Sequence, residues 1–172
     1  MKDYSDSKDV EKAITFLVNQ ISQSGNNPKP VILHSIRVSL YLWDKEYPLQ
    51  IVLSGMLHDL IEDSDTLVED IKEIFGNEVS EIVEANSFNE EIQSRVGRYK
   101  SVFESCVSYG KDALIVKAAD LLDNAPYYAL ENNLSFGRNK IAYFLEVSRP
   151  AIGKEQVYTD LEGALADLSD AL

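Results

Sequence analysis

The chain has 172 residues, 45% of them hydrophobic and 26% charged, which is the balance of an ordinary globular protein able to bury a core without a disulfide or structural zinc. A single cysteine, Cys106, excludes an intramolecular disulfide, a zinc finger and a redox Cys-x-x-Cys pair. With Lys+Arg 16 against Asp+Glu 29, the formal charge of -13 repels phosphate backbones and anionic lipid, so neither nucleic acid nor a membrane is an expected partner.

Residues 1–12 are polar and acidic rather than basic then apolar, and the longest apolar run, Ile51 to Leu57, is too short to span a bilayer. The expected location is the cytoplasm. Val10, Ala13, Ile14, Leu17, Val18 and Ile21 follow helical spacing and predict a first amphipathic helix, with Ser7 as its cap and Gly25 as its stop. The turn-forming stretch Gly25 to Pro30 leads into a second helix that starts at Pro30 and runs to about Asp44, and Pro48 opens a third to about Glu62.

Thr66 followed by Glu69 reads as a capping box for a fourth helix that closes at Phe75 and Gly76. A fifth covers about Glu78 to Ala85, and a sixth about Glu90 to Tyr109, ending at Gly110. Asp112 can cap a seventh, terminated by Pro126, and weaker periodic segments lie near Asn139 to Ser148 and Gln156 to Leu172. No run alternates with period two, and Leu114-Ile115-Val116 merges into helix-spaced Ala118, Leu121 and Leu122, so the fold class is all-α. No repeat or long linker divides the chain, which predicts one domain over residues 1–172 with peripheral C-terminal helices.

Only two histidines occur, His34 and His58, and the second is followed directly by Asp59. His34 lies early in the second helix, His58-Asp59 in the last turns of the third, and Asp120 midway along the seventh. Two imidazoles and two carboxylates form a mixed N/O set that suits Mn, Fe or Zn if the helices converge. Glu62 stands four residues after His58 and Asp63 four after Asp59, a second acidic pair one turn beyond, able to orient or deprotonate water. Lys117 and Asn124 flank Asp120 at i-3 and i+4, so a cation and an amide face the same side. Cys106 reads as a small core residue, and Tyr127, Tyr128 and Phe136 as packing aromatics.

The pattern His34, His58-Asp59, Asp120 resembles the metal-dependent HD phosphohydrolase superfamily. Leu57-His-Asp-Leu-Ile-Glu-Asp-Ser64, Ile71-Lys-Glu-Ile-Phe-Gly-Asn-Glu-Val79 and Lys117-Ala-Ala-Asp-Leu-Leu-Asp-Asn124 are similar to the hydrolase domain of RelA/SpoT-type alarmone enzymes and their small stand-alone relatives, a likeness spanning about residues 28–128. The resemblance implies an HD-domain helical bundle with one divalent ion, usually Mn2+, that removes the 3′-pyrophosphate from (p)ppGpp. It implies His34, His58, Asp59 and Asp120 as metal ligands, Glu62 and Asp63 as catalytic carboxylates, and Lys117 and Asn124 as lining the pocket near ribose or phosphate; Lys29 and Arg37, the latter one turn after His34, are read as further substrate-binding cations. The length leaves no room for a synthetase domain, so the expected relative is of the hydrolase-only kind.

The loop before His34 offers only Lys29 as a cation, and Leu121 and Asp123 stand where the family commonly has Arg and His. Arg95, Arg98 and Lys100 are other cations that could serve. Two alternatives therefore stay open: an HD nucleotidase or dNTP/dNMP phosphohydrolase using the same ligands, and a helical module that binds metal or nucleotide without turnover.

Overall fold

Every regular element among the described residues is α-helical, as the spacing of apolar positions requires. The computed structural model describes residues 3–25, 29–88, 91–130 and 133–170. The helices are α1 Tyr4–Ser24, α2 Val31–Asp44, α3 Leu49–Leu57, α4 Leu60–Asp63, α5 Val68–Phe75, α6 Asn77–Asn86, α7 Arg95–Tyr109, α8 Lys111–Leu130, α9 Leu134–Ile152 and α10 Gln156–Asp170. Asn26, Asn27 and Pro28 of the expected turn, the expected helix start at Glu90 and the expected end at Leu172 lie outside the described residues.

Several boundaries differ from the sequence expectation, each for a local reason. Asp3, rather than Ser7, caps α1, because its carboxylate accepts from the Ser5 and Asp6 amides while Ser7 Oγ bonds the Asp3 carbonyl inside the first turn. Pro30 and Pro48 precede α2 and α3 by one residue instead of opening them. The third helix stops at Leu57. A turn at His58 and Asp59, where Asp59 takes φ -94° and ψ -4°, separates it from the single turn of α4.

Thr66 does not cap the next helix. That helix begins at Val68, and Asp70 Oδ2 accepts from the Leu67 amide at 2.9 Å. Pro126 does not end α8, which continues to Leu130; the ring lies on an exposed position, where water can take the carbonyl it frees.

Packing within the chain gathers into two compact units, Met1–Ser87 and Phe88–Leu172. In the first unit α3 is central: Ile51 to Leu57 are all buried, and α3 packs with α1, α2 and α6, which bury Leu17, Leu42 and Ile82, while α5, with Ile71 buried, packs on α6. In the second unit α8 has the same character, buried without interruption from Ala113 to Leu121. Phe103 and Cys106 of α7, Phe144 of α9, and Val157, Tyr158 and Leu161 of α10 complete that core. The C-terminal helices, expected at the periphery, are thus part of the second core, and the Tyr158 hydroxyl is satisfied by the Leu145 carbonyl at 3.0 Å.

Candidate metal centre

Close packing of α2 on α3 brings the two histidines together. A Cβ built on Gly55 would stand 2.6 Å from Leu42 Cδ1 and 3.4 Å from Val38 Cγ1, so any larger residue there would force the buried Leu42 side chain to move. Ser39 Oγ donates to the Val52 carbonyl at 2.9 Å across the same seam. The signal was present in the sequence as a glycine inside the longest apolar run, but its role as a packing residue was not legible there.

His34 Nε2 and His58 Nε2 are 3.3 Å apart, with rings edge to face at 65°. His58 Nε2 lies 3.2 Å from Asp59 Oδ1, and His34 Nε2 lies 3.7 Å from Asp59 Oδ2. All three residues are buried, His58 completely. His58 Nδ1 is 2.9 Å from the Gly55 carbonyl, which can only accept, so Nδ1 carries a proton and Nε2 is the ring nitrogen turned toward Asp59. A proton or a cation between Nε2 and the carboxylate satisfies both. This donor set fits a divalent ion: two imidazole nitrogens and a carboxylate, one ring oriented by a backbone carbonyl behind it. Lys29 reaches Asp59 Oδ2 at 3.5 Å with its side chain 46% exposed, a pairing worth little by itself.

Asp63 is buried and Glu62 half-buried on α4, and the Asp63 amide bonds the Asp59 carbonyl at 2.9 Å, which keeps the acidic pair one turn beyond Asp59 as its spacing predicts. Arg37 is half-buried one turn after His34.

In the second unit, helix periodicity assembles another buried group. Lys117 Nζ is 3.0 Å from Asp120 Oδ2, and Asn124 Nδ2 donates to Asp120 Oδ1 at 2.6 Å. Each oxygen of the carboxylate is therefore held by a donor from its own helix, at i-3 and i+4. Cys106, buried nearby on α7, has its thiol pushed up to about 12, chiefly by burial, with the Lys117 charge opposing and Asp120 adding to the rise. It is a packed thiol, as expected, and not a nucleophile.

The other cations named from the sequence are engaged with aromatic faces of that unit: Arg95 over Phe136 at 3.9 Å, Arg98 over Phe88 at 4.9 Å and Lys100 over Tyr143 at 4.7 Å. Phe136 also meets Tyr99 and Tyr128 edge to face, the packing role expected of these rings. Sequence reasoning missed one further feature, the hydroxyl and amide side chains Gln20, Ser24, Ser64 and Thr66 around the end of α4.

Comparison with known proteins bears on this site. A family model described as HD domain matches residues 13–105, more than half of the chain. The chain belongs to the HD domain family. Among curated relatives of this HD-domain chain, an Aquifex aeolicus protein named guanosine-3′,5′-bis(diphosphate) 3′-pyrophosphohydrolase is 28% identical over 127 residues, 68% of this chain and 17% of its own length. A Mycoplasma pneumoniae protein named a probable enzyme of the same kind is 28% identical over 155 residues, 82% of this chain and 20% of its own length. The chain thus spans a fifth or less of these relatives. A solved structure of a metazoan ortholog of SpoT that hydrolyzes ppGpp matches with a TM-score of 0.73 at 17% identity, covering 99% of this chain and 96% of that one, which is a likeness of fold.

Proposed function

We propose that this HD-domain chain is a metal-dependent pyrophosphohydrolase that converts guanosine 3′,5′-bis(diphosphate) to GDP and pyrophosphate. The observation that carries the reading is the buried meeting of His34, His58 and Asp59, whose nitrogens and oxygens converge on one another at 3.2–3.7 Å. The names borne by the Aquifex and Mycoplasma relatives support the substrate.

In this reading His34, His58, Asp59 and Asp120 hold one divalent ion, Mn2+ by preference. When bound, such an ion supplies a Lewis acid for a phosphoryl oxygen and lowers the pKa of its water. Glu62 takes the proton of the attacking water, and Asp63 holds that water in line. An ammonium has three donors, so Lys117 can hold Asp120 with one and meet ribose or phosphate oxygens with the others; the second amide hydrogen of Asn124 does the same. Lys29 and Arg37 offset phosphate charge in a chain whose net charge of -13 would otherwise repel the substrate. The partner is a small nucleotide, neither nucleic acid nor membrane, and the setting is cytoplasmic. Among the described residues no helix is long and apolar enough to cross a membrane.

The test is metal analysis of purified protein, then incubation of the Mn2+-loaded form with ppGpp, dNTPs and dNMPs. Pyrophosphate release from ppGpp is expected. Tripolyphosphate from dNTPs or orthophosphate from dNMPs, without cleavage of ppGpp, would replace the substrate by that of an HD nucleotidase. That second reading is favoured by Leu121, which is fully buried and apolar, and by acidic Asp123, where the resemblance leads one to expect Arg and His. Tight metal binding with no product from any nucleotide would make the chain a non-catalytic binding module.

A further inference from the structure

α4 is a single helical turn, Leu60–Asp63, and it carries both carboxylates assigned above to the attacking water. One turn has almost no stability of its own, and no side chain caps its N-terminal end, so its orientation must be imposed from outside. A run of short contacts does this at its other end. The Leu60 carbonyl accepts from the Ser64 amide at 3.1 Å and from Ser64 Oγ at 2.7 Å. Ser64 Oγ lies 2.8 Å from Thr66 Oγ1 and also accepts from the Thr66 amide at 3.3 Å. Thr66 Oγ1 reaches the Gln20 side-chain oxygen on α1 at 3.3 Å, and the intervening Asp65 amide donates to Ser24 Oγ, one turn further along α1, at 2.9 Å.

Ser64 and Thr66 are 9% and 3% exposed, so water competes little for the bonds between them; with the Ser64 hydroxyl proton on the Leu60 carbonyl, the one proton of Thr66 Oγ1 goes to Ser64 Oγ or to the Gln20 oxygen, and such a buried hydroxyl chain rigidifies what it joins. Thr66 stands where the sequence suggests a helix cap, yet its hydroxyl serves α4 and α1 instead. We infer that Thr66, through Ser64 and with Gln20 and Ser24 as its anchor on α1, is a positioning residue that fixes α4 and thereby aims Glu62 and Asp63. The inference rests on the proposed roles of those two carboxylates. The side chains of the ligand residues His34, His58 and Asp59 lie outside these bonds, and only the Asp59 carbonyl touches α4, at the Asp63 amide.

The experiment compares wild type, Thr66→Val, Thr66→Ser and Gln20→Met, with folding checked by circular dichroism. In Thr66→Val, kcat for pyrophosphate release is expected to fall about 10- to 100-fold with KM and Mn2+ affinity within about twofold of wild type, and Thr66→Ser to recover most of the rate. Gln20→Met should give a smaller fall in the same direction. Amide hydrogen exchange gives a readout independent of turnover: protection at Asp63 and Ser64 should drop about tenfold in Thr66→Val and return in Thr66→Ser. Unchanged protection at those amides overturns the inference whatever the activity, as does an equal defect in the Val and Ser variants or a loss of metal affinity parallel to kcat. A wild type that releases no pyrophosphate from ppGpp defeats the functional reading instead, and the exchange data then decide the positioning role alone.

Discussion

His34, His58 and Asp59 come from α2 and from the turn between α3 and α4, with the two histidines 24 residues apart in sequence, and they face one another through ring nitrogens and carboxylate oxygens. Lys117, Asp120 and Asn124 lie on one helix, and the carboxylate already has a donor on each oxygen. Both groups are buried polar clusters on or beside the most buried helix of their unit, yet the first is assembled by the packing of α2 on α3 and the second by the periodicity of α8 alone. The contrast teaches that a buried polar cluster can be set by tertiary packing or by the repeat of one helix, and only the second kind is legible from spacing.

The sharpest way to break this comparison is to remove one acceptor from the first cluster. His58→Ala or Asp59→Ala is expected to abolish Mn2+ binding in calorimetry and to reduce pyrophosphate release by about 10³-fold or more. Retained metal in both variants would show that the cluster is not the ligand set. Glu62→Ala should separate binding from chemistry, keeping the metal while losing about 10²- to 10⁴-fold in kcat. Equal metal loss in all three would make Glu62 a ligand rather than a base.

The second cluster should respond in stability. Lys117→Met leaves a buried carboxylate without its cation and is expected to cost about 3 kcal/mol in urea unfolding, whereas Asn124→Ala should cost about 1–2 kcal/mol. If both are neutral, the pairing seen on α8 contributes nothing to the fold.

Gly55→Ala tests the packing that assembles the first cluster. Its Cβ would crowd Leu42 Cδ1 at 2.6 Å, so a loss of about 1–3 kcal/mol and weaker Mn2+ binding are expected. Gly163 on α10 has nothing within 4 Å of a built Cβ, and Gly163→Ala should stabilise the chain by up to about 1 kcal/mol with metal binding unchanged.

The last effect, confined to alkaline pH, concerns Cys106. Its thiol is raised from 9.0 to about 12, so the folded chain keeps a proton that the unfolded chain loses in that window, and the associated stability is present below pH 9 and declines as pH rises toward 12. Relative to Cys106→Ala, wild type should lose up to about 1.4 kcal/mol per pH unit there, measured by urea unfolding at matched pH. Parallel pH profiles would show that the thiol ionises equally in both states.

The sequence alone determined whatever depends on neighbours along one helix. Helical spacing of Val10, Ala13 and Leu17 specifies α1, and the i-3 and i+4 offsets place Lys117 and Asn124 on Asp120, because a turn of about 3.6 residues fixes which side chains can meet. The unusual pairing of scarce histidines with acids was likewise enough to point to a metal and to the family. Tertiary structure decided what no spacing encodes. It made Gly55 a contact surface for α2 and so brought His34 to His58. It broke the third helix at His58 and Asp59, and it took Thr66 from an expected cap into the bonds that hold α4. It also grouped the helices into two cores, drawing α10 into the second. In each case the deciding term is a contact between segments distant in the chain, where shape and the pairing of buried polar atoms outweigh local preference.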